Sequence, residues 1–273
     1  MPTGVMAPLV ALFSDFGLGD GTVGVMKAVI LRIAPGVPLV DLTHEVPPQD
    51  VRHGAWILHT LWRYLPEGSV CLAVVDPGVG TSRRPIAFAA AGCYFVGPDN
   101  GLFSYVLDAN PVAAAVVLDN AAYHLTPVSA TFHGRDIFAP AAGYLAAGLP
   151  LAELGSAADA ATLTTFQPTR PRPHPEGLVG HVLHVDRFGN LITDLGPELA
   201  PLVLSDPLVR LRIGIAEVAA RAATFAEGPP DAPFMFLDSS GHLAIAVRGG
   251  SAAARLGAGV GSAVIALGAH PPV

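Results

Sequence analysis

The sequence predicts an α/β protein in two parts: an N-terminal, mostly parallel sheet with helices on both faces, and a smaller C-terminal β-barrel or β-sandwich. Three observations lead there. Up to residue 165, short unbroken apolar runs alternate with segments of helical spacing, the pattern of a parallel sheet covered on both faces. Residues 166–177 hold a cluster of prolines that suits neither a helix nor a central strand. Beyond 178, short apolar segments are separated by Gly, Asn, Asp and Ser turns. The expected division is therefore an α/β domain over 1–165, a linker over 166–177 and a β-rich domain over 178–273. A chain of 273 residues can bury a core in each.

The elements follow in order. Leu9–Ser14 reads as a buried strand, and Gly21–Ile33 as a helix that stops before Pro35. Pro38–Thr43 is strand-like and Val51–Tyr64 helical. Ser69–Val75, Ile86–Ala90, Tyr94–Gly97 and Ala114–Leu118 read as strands, with a short helix near Leu102–Leu107 and a longer one over Asp136–Ala147. In the second part, strands are expected at Val179–Val185, Leu191–Asp194, Val209–Ile213, Phe234–Leu237, Leu243–Val247 and Ala263–Leu267.

Composition excludes several classes. Hydrophobic residues make up 51% and charged residues 14% of the chain, which rules out intrinsic disorder. The longest apolar runs, 138–152 and 256–269, are broken by glycines and fall short of the ~18–20 residues a spanning helix needs, so no membrane partner is expected. With a net charge of −7 and no basic run, nucleic acid is a poor partner. Lys27 is the only lysine among 15 basic residues. Cys71 and Cys93 lie in strand-like runs and are expected to be reduced, buried thiols of a cytoplasmic protein. A charged leader is not apparent, so no signal peptide is expected.

Gly19-Asp-Gly21-Thr-Val-Gly24 follows a strand and opens a helix, and Asp41 lies about twenty residues on, the spacing of a dinucleotide-binding turn. Its charges oppose that reading. Asp15 closes the strand and Asp20 sits inside the glycine run, where a pyrophosphate would meet two carboxylates. A hydroxyl-bearing or cationic ligand fits better. The plain alternative is a flexible strand-to-helix turn capped by an aspartate.

Ligands of open α/β sheets bind beyond the carboxyl ends of the strands. Polar runs occur at several such ends: Ser14-Asp15-Phe16-Gly17, Asp41-Leu-Thr43-His44, Asp76-Pro-Gly-Val-Gly-Thr81-Ser-Arg83-Arg84, Pro98-Asp99-Asn100-Gly101 and Thr131-Phe132-His133-Gly134-Arg135-Asp136. A lone histidine is more often structural than chemical. Here Asp76, Arg83 and His133 make a workable set, because a carboxylate kept ionised beside an arginine, with a histidine to take or relay a proton, can orient a water. No G-x-S-x-G elbow and no H-x-x-x-H spacing occurs, so neither a serine nucleophile nor a metal site is expected. In the second part, Asp186-Arg-Phe188-Gly-Asn190 and Asp238-Ser239-Ser240-Gly-His242 are polar turns, and Gly249-Gly250-Ser251-Ala252 offers free backbone N–H groups before a short helix, the means to bind a nucleoside and an amino-acid zwitterion.

These runs, in this order and across nearly the whole chain, resemble the S-adenosyl-L-methionine (SAM) hydroxide adenosyltransferases, the adenosine-forming SAM hydrolases related to fluorinase and chlorinase. The resemblance implies attack of water or hydroxide on the 5′ carbon of SAM, release of methionine, no cofactor or metal, and a homotrimer with each site between subunits. It implies Asp76, Arg83 and His133 as the water-activating set and Asp15 as the ribose-diol ligand. It further implies Asp186 for the substrate amine, Phe188 and Asn190 beside the adenine, Ser239 for the carboxylate, and the Arg248–Gly249 backbone facing the adenine. Asp20, Thr22, Gln49, Thr81, Thr131, Phe132, Gly134 and Ser240 are expected around the same substrate.

The chain also departs from the halogenases, which resemble it otherwise but carry Tyr at the place of Asp76. The fluorinase has Ser for Gly134, Trp for Gln49 and Arg for Ser240. An anionic Asp76 repels halide, so hydrolysis is expected over halogenation. The alternatives are a chlorinase-like SAM-dependent halide transferase and a non-catalytic SAM- or adenosine-binding protein.

Overall fold

The computed structural model describes residues 8–270. The chain divides into two compact units between Gln167 and Pro168.

The N-terminal unit is built from β1 (Val10–Ser14), α1 (Thr22–Ile33), β2 (Leu39–Thr43), α2 (Val51–Leu61), β3 (Val70–Val74), β4 (Pro85–Ala90), β5 (Cys93–Pro98), α3 (Ser104–Ala109), β6 (Val112–Val117) and α4 (Ala139–Ala146). The strands form one sheet in the order β2-β1-β3-β5-β4-β6, and β2, β1, β3 and β5 run parallel. β4 is antiparallel to both of its neighbours. The unbroken apolar runs of β1 and β3 are explained by burial on both sides. Val10, Leu12, Val70, Leu72 and Val74 pack in one core with α1 and α4, while Phe13, Cys71 and Ala73 pack in a second with residues of α2 and α3. The parallel order places the carboxyl ends of β1, β2 and β3 along one edge of the sheet.

The C-terminal unit contains β7 (Arg172–His174), β8 (Gly177–Val185), β9 (Leu191–Thr193), α5 (Ala200–Ser205), β10 (Arg210–Ile213), β11 (Ala216–Val218), β12 (Ala220–Arg221), β13 (Pro233–Leu237), β14 (Leu243–Val247), α6 (Ala252–Leu256) and β15 (Ala263–Leu267). Its strands follow the path β11-β10-β15-β8-β9-β14-β13-β12, with β7 attached to β8. This is the expected barrel-like architecture, wrapped around a core of Leu178, Leu191, Leu211, Met235, Ile245 and Val264 among others.

The structure refines the sequence expectations at four places. The helix over 51–64 is α to Leu61 and tightens to a 3₁₀ turn at Trp62–Tyr64. The helix expected from Asp136 begins instead with a π-helical turn at Gly134–Phe138, and α4 follows. The proline-rich segment carries contacts and a short strand of its own. Phe166 belongs to the first unit, where its N–H donates to Ser104 Oγ at 3.0 Å and its ring lies 4.4 Å from the Arg52 guanidinium carbon. Residues 172–174 form the edge strand β7, a position where Pro173 costs no interior ladder bond. Finally, β11, β12 and α5 occupy stretches that the sequence pattern left unassigned.

Candidate active site

In the N-terminal unit the site grows from the loop after β3. Asp76 lies just past the strand end, and Arg83 folds back on it. Arg83 Nε donates to Asp76 Oδ1 at 2.9 Å and to Oδ2 at 3.1 Å, and an Nη donates to Oδ2 at 2.5 Å. Both side chains are nearly dry, at 8% and 5% exposure, so little solvent screens the pair. The same Nη lies 2.9 Å from His133 Nδ1. The guanidinium can only donate, so Nδ1 is a lone pair and the neutral ring carries its proton on Nε2. Burial, and then the Arg83 charge, lower the His133 pKa below its ordinary value despite the pull of Asp76. The loop can approach because of Gly80. Its φ is +77°, and a Cβ there would lie 2.5 Å from the Ala130 carbonyl oxygen.

His133 caps the π-helical turn, and Asp136 inside that turn anchors the segment before it. Asp136 accepts from Ser129 N–H at 2.8 Å and from Arg135 at 2.6 and 2.9 Å. Burial alone would raise its pKa, but these hydrogen bonds outweigh burial and hold the carboxyl below the usual range. Ser129 Oγ in turn accepts the Thr131 N–H. Asp136 and Ser129 thus position Thr131, Phe132 and His133. The sequence alone assigns Asp136 no role, since its partner Ser129 lies seven residues upstream. Thr22, Asp76, Thr131, Phe132, His133 and Gly134, with Phe16, Val74 and Val79, line one cleft of about 330 Å³. Gly134 is a tight position: a Cβ would meet Met26 Sδ at 3.1 Å and the Phe132 and Phe16 rings at 3.2 and 3.3 Å.

Other expected residues lie beside this cleft rather than in its lining. Arg83 stands behind Asp76. Asp15 accepts the Gln49 N–H at 2.8 Å, and Gln49 takes a φ of +65°. Asp20 accepts from the Thr22 hydroxyl and N–H, which lowers its pKa, in the turn that leads into α1. Thr81 gives its hydroxyl to the Gly78 carbonyl at 2.7 Å and works as a turn staple. Asp41, which completed the dinucleotide spacing, is paired with Lys27.

The C-terminal unit presents a different hollow, about 440 Å³, lined by Phe188, Asn190, Phe225, Val247, Arg248, Gly249 and Gly250. Phe188 is 75% exposed and Phe225 52%. The Asp186 carboxylate closes the turn that presents Phe188, accepting the Phe188 and Asn190 N–H groups at 2.8 and 2.9 Å and the Asn190 amide at 2.6 Å. Gly189 allows that turn, since a Cβ would fall 2.0 Å from Ser251 Oγ at a φ of +80°. Ser240 donates its hydroxyl to Asp238, which spends it on a neighbouring turn, and neither Ser239 nor Ser240 lines the hollow. Phe225, tilted against Phe236 at 5.0 Å, is a wall the sequence reading missed. Its only signal was an aromatic residue in a stretch without motif.

A third hollow of about 390 Å³, between α1 and α4, contains none of the expected residues. Among the described residues no cluster of three or more His, Cys, Asp or Glu could hold a metal ion, and no helix is long and apolar enough to cross a membrane. Cys71 and Cys93 are free, buried thiols whose pKa values burial pushes up.

Comparison with known proteins adds the following. The family model for the SAM hydroxide adenosyltransferase N-terminal domain matches residues 10–155, and that for the C-terminal domain matches 180–265. The chain is 45% identical over 255 residues to an (R)-S-adenosyl-L-methionine hydrolase of Salinispora tropica, covering 92% of this chain and 94% of that one. It is also 45% identical over 259 residues to one of Thermus thermophilus, covering 91% and 95%. A fluorinase of an Actinoplanes species is more distant, at 30% identity over 274 residues. The fold is similar to a crystal structure of an uncharacterized conserved protein from Thermotoga maritima, with a TM-score of 0.87, 36% identity and coverage of 94% and 98%.

Proposed function

The chain belongs to the SAM hydroxide adenosyltransferase family and hydrolyses SAM to adenosine and L-methionine; we propose that the reaction runs by in-line attack of a water at the cleft of Asp76, Arg83 and His133. The observation that carries this reading is the dry Asp76–Arg83 pair with His133 on the same guanidinium.

The water oxygen bonds to C5′ as the C5′–S bond breaks. Its electron pair stays on sulfur, which turns from sulfonium to neutral thioether and needs no acid. One water proton must leave. His133 Nδ1 is occupied by Arg83, so the neutral ring has no free lone pair and Asp76 is the acceptor. His133 Nε2–H holds the water oxygen, and Arg83 fixes both partners. Alignment of water, carbon and sulfur supplies most of what the chemistry needs, and the reading calls for no metal or cofactor. Gly134 supports hydrolysis over halide transfer, because a serine there would have to push back Met26, Phe132 and Phe16.

On this reading Asp15 holds the ribose diol, with Asp20, Gln49 and Thr81 shaping the loops around it. The C-terminal hollow takes the adenine between Phe188 and Phe225, against Asn190 and the Arg248–Gly249 backbone. Asp186 and Ser239 face the methionine end. Hollow and charged cleft come from neighbouring protomers of a homotrimer. The uncovered Phe188 and Phe225 rings support this assembly. The two free, buried thiols support a cytoplasmic location.

Incubation of the purified protein with SAM, followed by chromatography, tests the proposal. Adenosine and methionine in equal amounts are expected. A 5′-haloadenosine formed in chloride would indicate halide transfer, and tight binding without product a sensor. Sedimentation velocity reads the trimer.

A further inference from the structure

Ser14 ends β1 and is fully buried. The next two residues are Asp15 and Phe16, assigned above to the ribose and the cleft wall. Ser14 Oγ lies 2.7 Å from His44 Nδ1. His44, only 3% exposed, places Nε2 3.1 Å from Asp41 Oδ1. Asp41 Oδ2 then accepts from Lys27 Nζ at 2.6 Å. A chain of side chains thus runs from α1, across the outer strand β2, to the first residue of the site loop. The backbone follows the same route, with the Gly17 N–H donating to the His44 carbonyl at 2.8 Å.

Ser, His and Asp in hydrogen-bonded series resemble a hydrolase triad, but this set cannot act as one. Ser14 has no access to a substrate, and its oxygen accepts the Phe16 N–H at 3.3 Å. The Asp41 carboxylate only accepts, so His44 Nε2–H donates to it, and Nδ1 shares the second hydrogen bond with Ser14 Oγ. Both ring nitrogens are satisfied. Burial would raise the Asp41 carboxyl, but hydrogen bonds from Lys27 and His44 outweigh it and hold it below the usual range. The inner end of the series is dry, while the Lys27 and Asp41 side chains remain 31% and 39% exposed.

We propose that Lys27, Asp41, His44 and Ser14 form a positioning relay that fixes the Asp15–Phe16 turn and so sets the affinity for substrate rather than the rate of the chemical step. The inference rests on the reading that Asp15 holds the ribose. None of the hydrogen bonds in the relay reaches Asp76, Arg83 or His133, so KM is the quantity it governs.

Because Lys27 is the only lysine, an amine reagent modifies one side chain and the N-terminus. Acetylation removes the Lys27 charge, whereas reductive dimethylation keeps the charge and one N–H donor. Acetylated protein is expected to show KM raised about fivefold with kcat within twofold, as loss of one charged hydrogen bond implies. Dimethylated protein should stay within twofold in both. The Lys27→Arg variant, acetylated only at its N-terminus, should keep its own KM. Unchanged KM in acetylated protein, or a fall in kcat at constant KM, overturns the relay. If the unmodified protein forms no adenosine, the proposed function fails instead. The relay is then judged by amide exchange at Phe16 and Gly17, expected at least threefold faster in acetylated than in dimethylated protein. Equal exchange overturns it.

Discussion

The two hollows are built on opposite principles. In the N-terminal cleft the functional side chains hold one another: Arg83 grips Asp76 and His133, and Asp136 fixes the turn beneath. In the C-terminal hollow the polar side chains serve their own turns, and what faces outward is aromatic surface and glycine backbone. Under the proposed function the contrast teaches that the chemistry depends on prearranged charge, whereas recognition of a flat apolar group depends on surface left uncovered.

The sharpest way to break the comparison is Asp76→Ala. Turnover should fall about 10²–10⁴-fold while SAM affinity, measured by calorimetry, changes little; retained turnover would remove the charged cleft from the chemistry. Phe188→Ala comes next. Loss of one stacking wall is worth about 1–3 kcal/mol, so KM should rise roughly 5- to 150-fold with kcat nearly kept, because the ring is exposed and supports no core. A fall in kcat alone would mean the second hollow does more than recognise. The third concerns pH. His133 must stay neutral to accept from Arg83, and burial and that charge lower its pKa. kcat/KM should therefore hold through neutrality and drop on acidification only below the ordinary histidine value of about 6.5. An inflection above that value contradicts the geometry.

The smallest effect belongs to the C-terminal unit. Asp194 is buried, its Oδ1 accepts the His181 backbone N–H, and its Oδ2 lies 3.7 Å from the His181 ring, beyond hydrogen-bond range. Burial raises its pKa above the unfolded value. The unfolded state therefore loses this proton first, and the folded state is penalised as pH rises through and beyond that interval. Asp194→Asn should raise Tm at pH 8 by a few degrees and less at pH 4. Equal shifts at both values would refute the assignment.

Much of this was legible in the sequence, for physical reasons that also explain the failures. β1 and β3 could be read because burial on both faces demands continuous apolar residues. β11 and β12 could not, since Ala216–Arg221 carries neither a run nor a clear alternation. Asp76 and Arg83 share one loop, so their pairing needed no long-range knowledge, whereas His133 joins them only through the Gly80–Ala130 approach. Asp186 was legible as a turn residue, but no local pattern shows that its carboxylate is already engaged by Phe188 and Asn190. Phe225 becomes a wall only through the placement of β13 and the 3₁₀ turn before it. Nor does the sequence show that the Ser240 hydroxyl donates to Asp238.

The N-terminal unit also fastens its own final stretch. Arg84 holds Thr162, Asp99 accepts the Thr164 N–H, and Phe166 is tied to Ser104 and Arg52. The β7–β8 hairpin opens the second unit four residues after its first. The peptide bond between Gln167 and Pro168 is therefore a natural seam for recombination. A gene that exchanges halves with a relative at that bond leaves every clasp named here in one parent. On the proposed function, such hybrids take their reactivity from the first half and their taste for the nucleobase from the second.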